Sequence, residues 1–181
     1  MFFDVRPKAI IRPKGKENNN VKEEISSFKN YEEMVSDLLK SCYNYNFKVT
    51  SSENIVIYNG TISNNEDIGY KETSEEIIKY AIIDGITSRI VLDKTTEITN
   101  LYDEEDKAFL NIENLFNNLK NYLYSVNKNE TKREINYNKD GYQVLVKTNL
   151  ENITEILITN ATKTYELQFT NVSICDNITN K

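Results

Sequence analysis

"KYAIIDGITSRIVLDKTTEITNLY", Lys79 to Tyr102, decides the fold. Asp84-Gly85 separates Ile82-Ile83 from Ile86, and both turn residues tolerate positive φ, which is a strong short-range hairpin signal. Asp93-Lys94 marks a second, weaker turn. The stretch therefore predicts three consecutive strands, antiparallel because parallel neighbours would need long crossovers.

Downstream, "YDEED" (Tyr102 to Asp106) reads as a solvated loop. Clustered carboxylates suit calcium, but the alternation and the glycine of an EF-hand loop are missing. From about Asn111 the apolar residues Ile112, Leu115, Phe116, Leu119, Tyr122 and Leu123 fall at helical spacing. Then come four predicted strands at Glu134–Tyr137, Tyr142–Thr148, Ile153–Thr159 and Thr164–Ile174, the first two joined by a turn at Lys139-Asp140-Gly141.

Upstream, "YNYNFKV" alternates Tyr43, Tyr45, Phe47 and Val49 with polar residues, the period-two signature of a half-buried strand. Ile55–Tyr58 predicts another strand ending at an Asn59-Gly60 turn, with a polar loop beyond it. Before these, Asn30 and Glu33 have capping-box spacing ahead of Met34, Val35, Leu38, Leu39 and Cys42 on one helical face. Residues 1–26 hold both prolines and a run of asparagines and charges, so they read as an extended leader to a single domain spanning 27–181. The sum is α+β: one large curved antiparallel sheet, an incomplete barrel, with helices covering its apolar concave face.

Composition narrows the function classes. At 181 residues the chain can bury a sizeable core, and 39% hydrophobic with 28% charged residues describes a globular protein. Its net charge of −6 leaves no basic face to displace counterions, which argues against nucleic acid. Histidine is absent, removing Ser-His-Asp and Cys-His nucleophiles and the commonest metal ligand, so neither catalysis, a metal nor a cofactor is expected. The two cysteines, Cys42 and Cys175, form either a disulfide or two buried thiols. Neither a transmembrane run nor a signal peptide is visible, which leaves a cytosolic chain or a mature form without its export signal.

Individual site candidates are few. Asp93, Glu97 and Glu166 lie in strand-rich regions but are placed like turn or outward residues, unlike an acid–base pair. Arg89 interrupts an apolar strand and either anchors an anionic partner or lies on the solvent face with its stem packed. Asn-x-Ser/Thr triplets at Asn59, Asn129, Asn152, Asn160, Asn171 and Asn177 are expected by chance at this composition. The 12 tyrosines and 7 phenylalanines suit a barrel interior and also a protein-gripping surface.

The order of elements resembles the LolA/LolB superfamily of lipoprotein carriers and its Gram-positive relatives. The resemblance rests on the strand pair turning at Asp84-Gly85, the mid-chain helix "NIENLFNNLKNYLY" and the closing "TYELQFTNVSI", whose Phe169–Ile174 is similar to an F-x-N/D-V-x-I segment. Within that group the chain is most similar to the GerS-like clostridial spore-germination lipoproteins. This implies a non-enzymatic protein of the spore envelope, membrane-anchored by an N-terminal lipid, that binds and activates a cortex amidase of the CwlD type, an N-acetylmuramoyl-L-alanine amidase. No lipobox cysteine stands near the start, so the anchor is implied by the resemblance alone.

Two functions then compete. A protein-interaction module would use its surface or a free sheet edge, and such an edge also permits a homodimer by strand exchange or edge pairing. A carrier would need an open apolar cavity for lipid or acyl chains. Bulky inward Tyr, Phe, Ile and Leu favour the first by filling a small barrel. Tyr80, Arg89 and Ile174 are the candidate partner-binding residues, chosen for their strand positions.

Overall fold

A computed structural model describes residues 27–64, 66–91, 94–98 and 101–175. The leader at 1–26, Asp93 and the Asn177 triplet lie outside the described residues. Among those described are three helices and eleven strands, and the strands form one antiparallel sheet.

Helix α1 (Tyr31–Lys40) starts where expected: Asn30 Oδ1 accepts hydrogen bonds from the Glu32 and Glu33 amides, which would otherwise lack partners. It stops before Cys42, which belongs to strand β1 (Ser41–Ser51). Strands β2 (Ile55–Ser63), β3 (Glu66–Glu72), β4 (Ile77–Ile83), β5 (Ile86–Val91) and β6 (Lys94–Glu97) then step outward to one edge of the sheet. Helices α2 (Glu104–Leu110) and α3 (Ile112–Leu119) carry the chain to the opposite edge. From there β7 (Tyr124–Lys128), β8 (Arg133–Lys139), β9 (Tyr142–Thr148), β10 (Ile153–Thr159) and β11 (Lys163–Ile174) step back to the centre, where β11 pairs with β1.

The two-residue turns behave as their residue types dictate. Asp84 and Gly85 take φ 51° and 81°, and Asp140 and Gly141 take 48° and 84°. The sheet is thus two meanders joined along one seam, β1 against β11. The disulfide Cys42–Cys175 staples that seam with its Cα atoms 5.0 Å apart, which resolves the open question of the two cysteines.

Alternate residues of the strands turn to one face and meet the helices there. Phe47, Tyr58, Ile135, Val146, Ile156 and Tyr165 are buried against Met34 and Leu38 of α1 and Leu115, Phe116 and Leu119 of α3. Phe109 bridges the layers, its ring tilted against those of Tyr142 and Tyr165.

Four local expectations need correction. The acidic "YDEED" is no loop: Glu104, Glu105 and Asp106 form the first turn of α2, where negative charge favours the positive end of the helix dipole. Buried Asp106 lies 3.7 Å from Lys163, which also pairs with Glu105 at 2.9 Å. The mid-chain helix is in fact two, broken at Asn111, whose side chain caps the second by accepting from the Asn114 amide. Leu123 lies beyond its end. Asn59-Gly60 is no turn, because β2 continues through it to Ser63. The polar stretch after it contains the whole of β3.

Candidate functional site

Two features on the side of the sheet that packs against the helices are the candidates: a polar knot on the β1–β4 side and a largely apolar groove beside the β7 edge.

The knot depends on glycine. Gly60 and Gly69 stand opposite one another on β2 and β3. A methyl group at Gly60 would come within 2.6 Å of the Tyr45 ring. Free of that obstacle, Tyr45 reaches across two strands and its hydroxyl donates to both oxygens of Asp67, at 2.9 and 3.0 Å, and shares a hydrogen bond with the Tyr80 hydroxyl. Tyr102 completes the group and packs its ring, tilted, against Tyr58 with ring centres 4.9 Å apart. Burial pushes the Asp67 carboxyl up to about 6, although hydrogen bonds from Tyr45 and Tyr102 hold it back in part. This knot lines a hollow of about 220 Å³ under the α2–α3 junction.

The groove, of about 290 Å³, lies between α1, α3 and the β7 edge. Tyr31, Val35 and Leu39 of α1 form one wall, and Phe116 and Leu119 of α3 the other. Its end is closed by Tyr124, whose ring stands 5.9 Å from Tyr31 and 5.3 Å from Tyr137. The Tyr137 hydroxyl donates to that of Tyr31 at 3.2 Å, and burial raises both phenols. Arg133 ties the base of α1 to β8, donating to the Lys29 carbonyl at 3.1 Å with its guanidinium 5.3 Å from the Phe28 ring.

Beside this groove, and among the described residues, β7 has no further strand along it. All five of its residues are exposed, among them Tyr124 (44%) and Val126 (46%), and Leu123 just before them is 96% exposed. The opposite edge is different in kind: β6 reads Lys-Thr-Thr-Glu, the short polar composition that keeps an edge from pairing. One edge shows exposed apolar residues and the other is short and polar.

The three strand positions chosen from sequence fall apart in space. Tyr80 is fully buried in the tyrosine knot, and Arg89, its cross-strand partner on β5, pairs with Glu76 at 3.4 Å. Ile174, 87% exposed, ends β11 four strands from β4. Of the carboxylates, Glu97 is exposed on β6 and Glu166 accepts from Gln168 Nε2 at 2.7 Å, so the two share no pocket. Sequence reasoning missed Leu123, Tyr124 and Val126 because the first was absorbed into the helical stripe. The alternation Tyr124-x-Val126 was the signal available. Asp67 was hidden in what looked like a loop.

These features define an α+β protein built on one open antiparallel sheet, with an aromatic interior and exposed apolar residues along its β7 edge. No family model matches the chain, and no curated protein does. Among solved structures it is similar to LprF from Mycobacterium bovis, at 6% sequence identity and a TM-score of 0.48, over 80% of this chain and 97% of that one.

Proposed function

We propose that this chain is a non-enzymatic, extracytoplasmic binding protein that docks a partner protein along the β7 edge, and that the partner is a peptidoglycan amidase of the CwlD type. The observation that carries the reading is the outer edge of β7, which no other described strand pairs with, where Leu123 and Val126 are exposed beside the groove. A partner strand added there gains main-chain hydrogen bonds from the edge and specificity from side chains seated in the groove. Ordering a segment of the amidase in this way is how binding would become activation.

Three further points favour it. A disulfide is the mark of an oxidising compartment, in keeping with a protein outside the cytoplasm. No helix among the described residues is long and apolar enough to cross a membrane; the N-terminal lipid anchor in this reading comes from the GerS resemblance. The hollows on the helix side of the sheet, about 220, 240 and 290 Å³, lie at or below the lower end of the roughly 300–1,000 Å³ usual for ligand sites. That disfavours a LolA-like carrier even though the sheet, curled about its helices, would share the LolA-like architecture. The spore envelope as location and the cortex as target come from the GerS resemblance.

The test mixes the purified chain with a CwlD-type amidase and follows co-elution and hydrolysis of peptidoglycan. Amidase activity is expected to rise saturably with the chain. The double variant L123E/V126K, altered only at exposed positions, should keep its melting temperature while affinity falls by at least about tenfold. A chain that neither binds nor activates the amidase overturns the proposal, and saturable uptake of a fluorescent fatty acid would replace it with the carrier. Binding that survives in the double variant moves the contact elsewhere, including to an edge shared with a second copy of the chain.

A further inference from the structure

The face of the sheet turned away from the helices carries a second site. Because successive side chains alternate across a sheet, the residues between the core positions of β3, β2, β1 and β11 point outward together. The pairing register sets Tyr70 opposite Asn59, Asn59 opposite Asn46 and Asn46 opposite Gln168 in one row across four strands. In the next row Thr61 stands opposite Asn44 and Asn44 opposite Thr170. The rows line a shallow groove of about 420 Å³. No side chain lining it is charged, in a chain where 28% of residues are.

The amides are held in place. Asn46 Nδ2 donates to Asn59 Oδ1 at 2.7 Å, and Thr61 Oγ1 donates to Asn44 Oδ1 at 2.9 Å. Each bond uses only part of an amide's capacity, since Asn offers two donor hydrogens and two acceptor lone pairs. At one end of the rows β3 shows its apolar residues to solvent: Tyr70 is 37% exposed, with Ile68 beside it. A strand normally hides such residues and turns Asp and Gly outward. In β3 the pattern is reversed, because the buried side is occupied by Asp67 and the Gly69 contact.

We propose that this groove binds an uncharged oligosaccharide. Oriented amides both donate and accept, as neighbouring sugar hydroxyls do, and Tyr70 offers an apolar surface for the C–H face of a pyranose ring. The lack of any cation in the lining disfavours phosphorylated, sulfated and uronic-acid chains; a neighbouring carboxylate, Glu166, is engaged by Gln168 Nε2 at 2.7 Å. Four strands about 4.8 Å apart make a row of roughly 14 Å, the length of about three sugar rings. A shallow, hydrated groove of this kind binds weakly and depends on repeated units for strength.

The probes are tri-N-acetylchitotriose and maltotriose, titrated into the ¹⁵N-labelled protein. One or both should shift backbone amides of β3, β2, β1 and β11 saturably, with a Kd of roughly 0.1–10 mM. Y70A and N59A, both at outward positions, should leave the rest of the spectrum in place and weaken binding by about tenfold. L123E/V126K should bind as the parent does, which separates this site from the β7 edge. No saturable shift with either sugar overturns the proposal, as does binding that both groove variants retain in full.

Discussion

Asp67 shows how one residue can be held against its own chemistry. It lies on the core side of β3 among phenols, with the Tyr45 hydroxyl bridging both its oxygens. Burial raises its pKa from 3.8 to about 6. The folded state therefore binds the proton more tightly than the unfolded state, and stability falls as pH rises between those values. This group favours folding most below about pH 4 and loses that contribution by about pH 6, a change of about 2–3 kcal/mol. Asp67→Asn keeps an acceptor for Tyr45 and cannot ionise. Its stability relative to the parent should improve by about 2 kcal/mol between pH 4 and pH 7, measured by urea unfolding across that range. A difference that stays constant with pH would show that Asp67 pays nothing for its position.

At the scale of elements, the crossing of β2 and β3 at Gly60 and Gly69 leaves no room for a side chain. A methyl group at Gly69 would lie 2.2 Å from the Asn59 carbonyl oxygen and 2.8 Å from Gly60 Cα, both backbone atoms that cannot swing aside. Gly69→Ala should destabilise the fold by about 3 kcal/mol, lowering the melting temperature by roughly 6–12 °C. An unchanged melting curve would mean the strands can part there without cost. The same crossing explains why β3 escapes a pattern-based reading. Its core-side positions are Asp67, Gly69 and Lys71, and its apolar residues face outward, so the expected alternation is inverted. Helix α2 escapes for an electrostatic reason: three acidic residues look like solvent-loving loop, yet at a helix N-terminus they complement the dipole. By contrast β9 and β10 coincide with the predicted spans, since Val144, Val146, Ile156 and Ile158 alternate cleanly into the core.

The whole molecule turns on its seam. Each meander is built from near neighbours in sequence, but β1 and β11 lie at opposite ends of the domain and meet only when both halves are in place. The Cys42–Cys175 bond spans 133 residues and closes that long loop in advance. Removing it with C42S/C175S should cost about 3–5 kcal/mol, most of it through the greater freedom of the unfolded chain, and denaturant midpoints with and without reductant should show the same loss. If the double variant unfolds at the parent's midpoint, the seam holds without its staple. At this scale too the two proposed surfaces separate: the β7 edge belongs to the rim of the sheet and the amide rows to the centre of its open face. Impairing one should leave the other working.

By itself the sequence determined what local chemistry controls: the Asn30 cap, the Asp-Gly hairpins, the amphipathic stripe of α3 and the alternating strands of the second meander. It also determined the antiparallel character, because short turns between strands allow nothing else. Only the tertiary structure decided which residues would meet across the sheet. The pairing of Cys42 with Cys175, the reach of Tyr45 over Gly60 to Asp67, the place of β7 at the end of the described strand order and the joining of Asn44, Asn46 and Asn59 into one groove all depend on pairing between strands. Register is an agreement between distant segments, set when their side chains pack on a common face, and no single stretch of chain carries it.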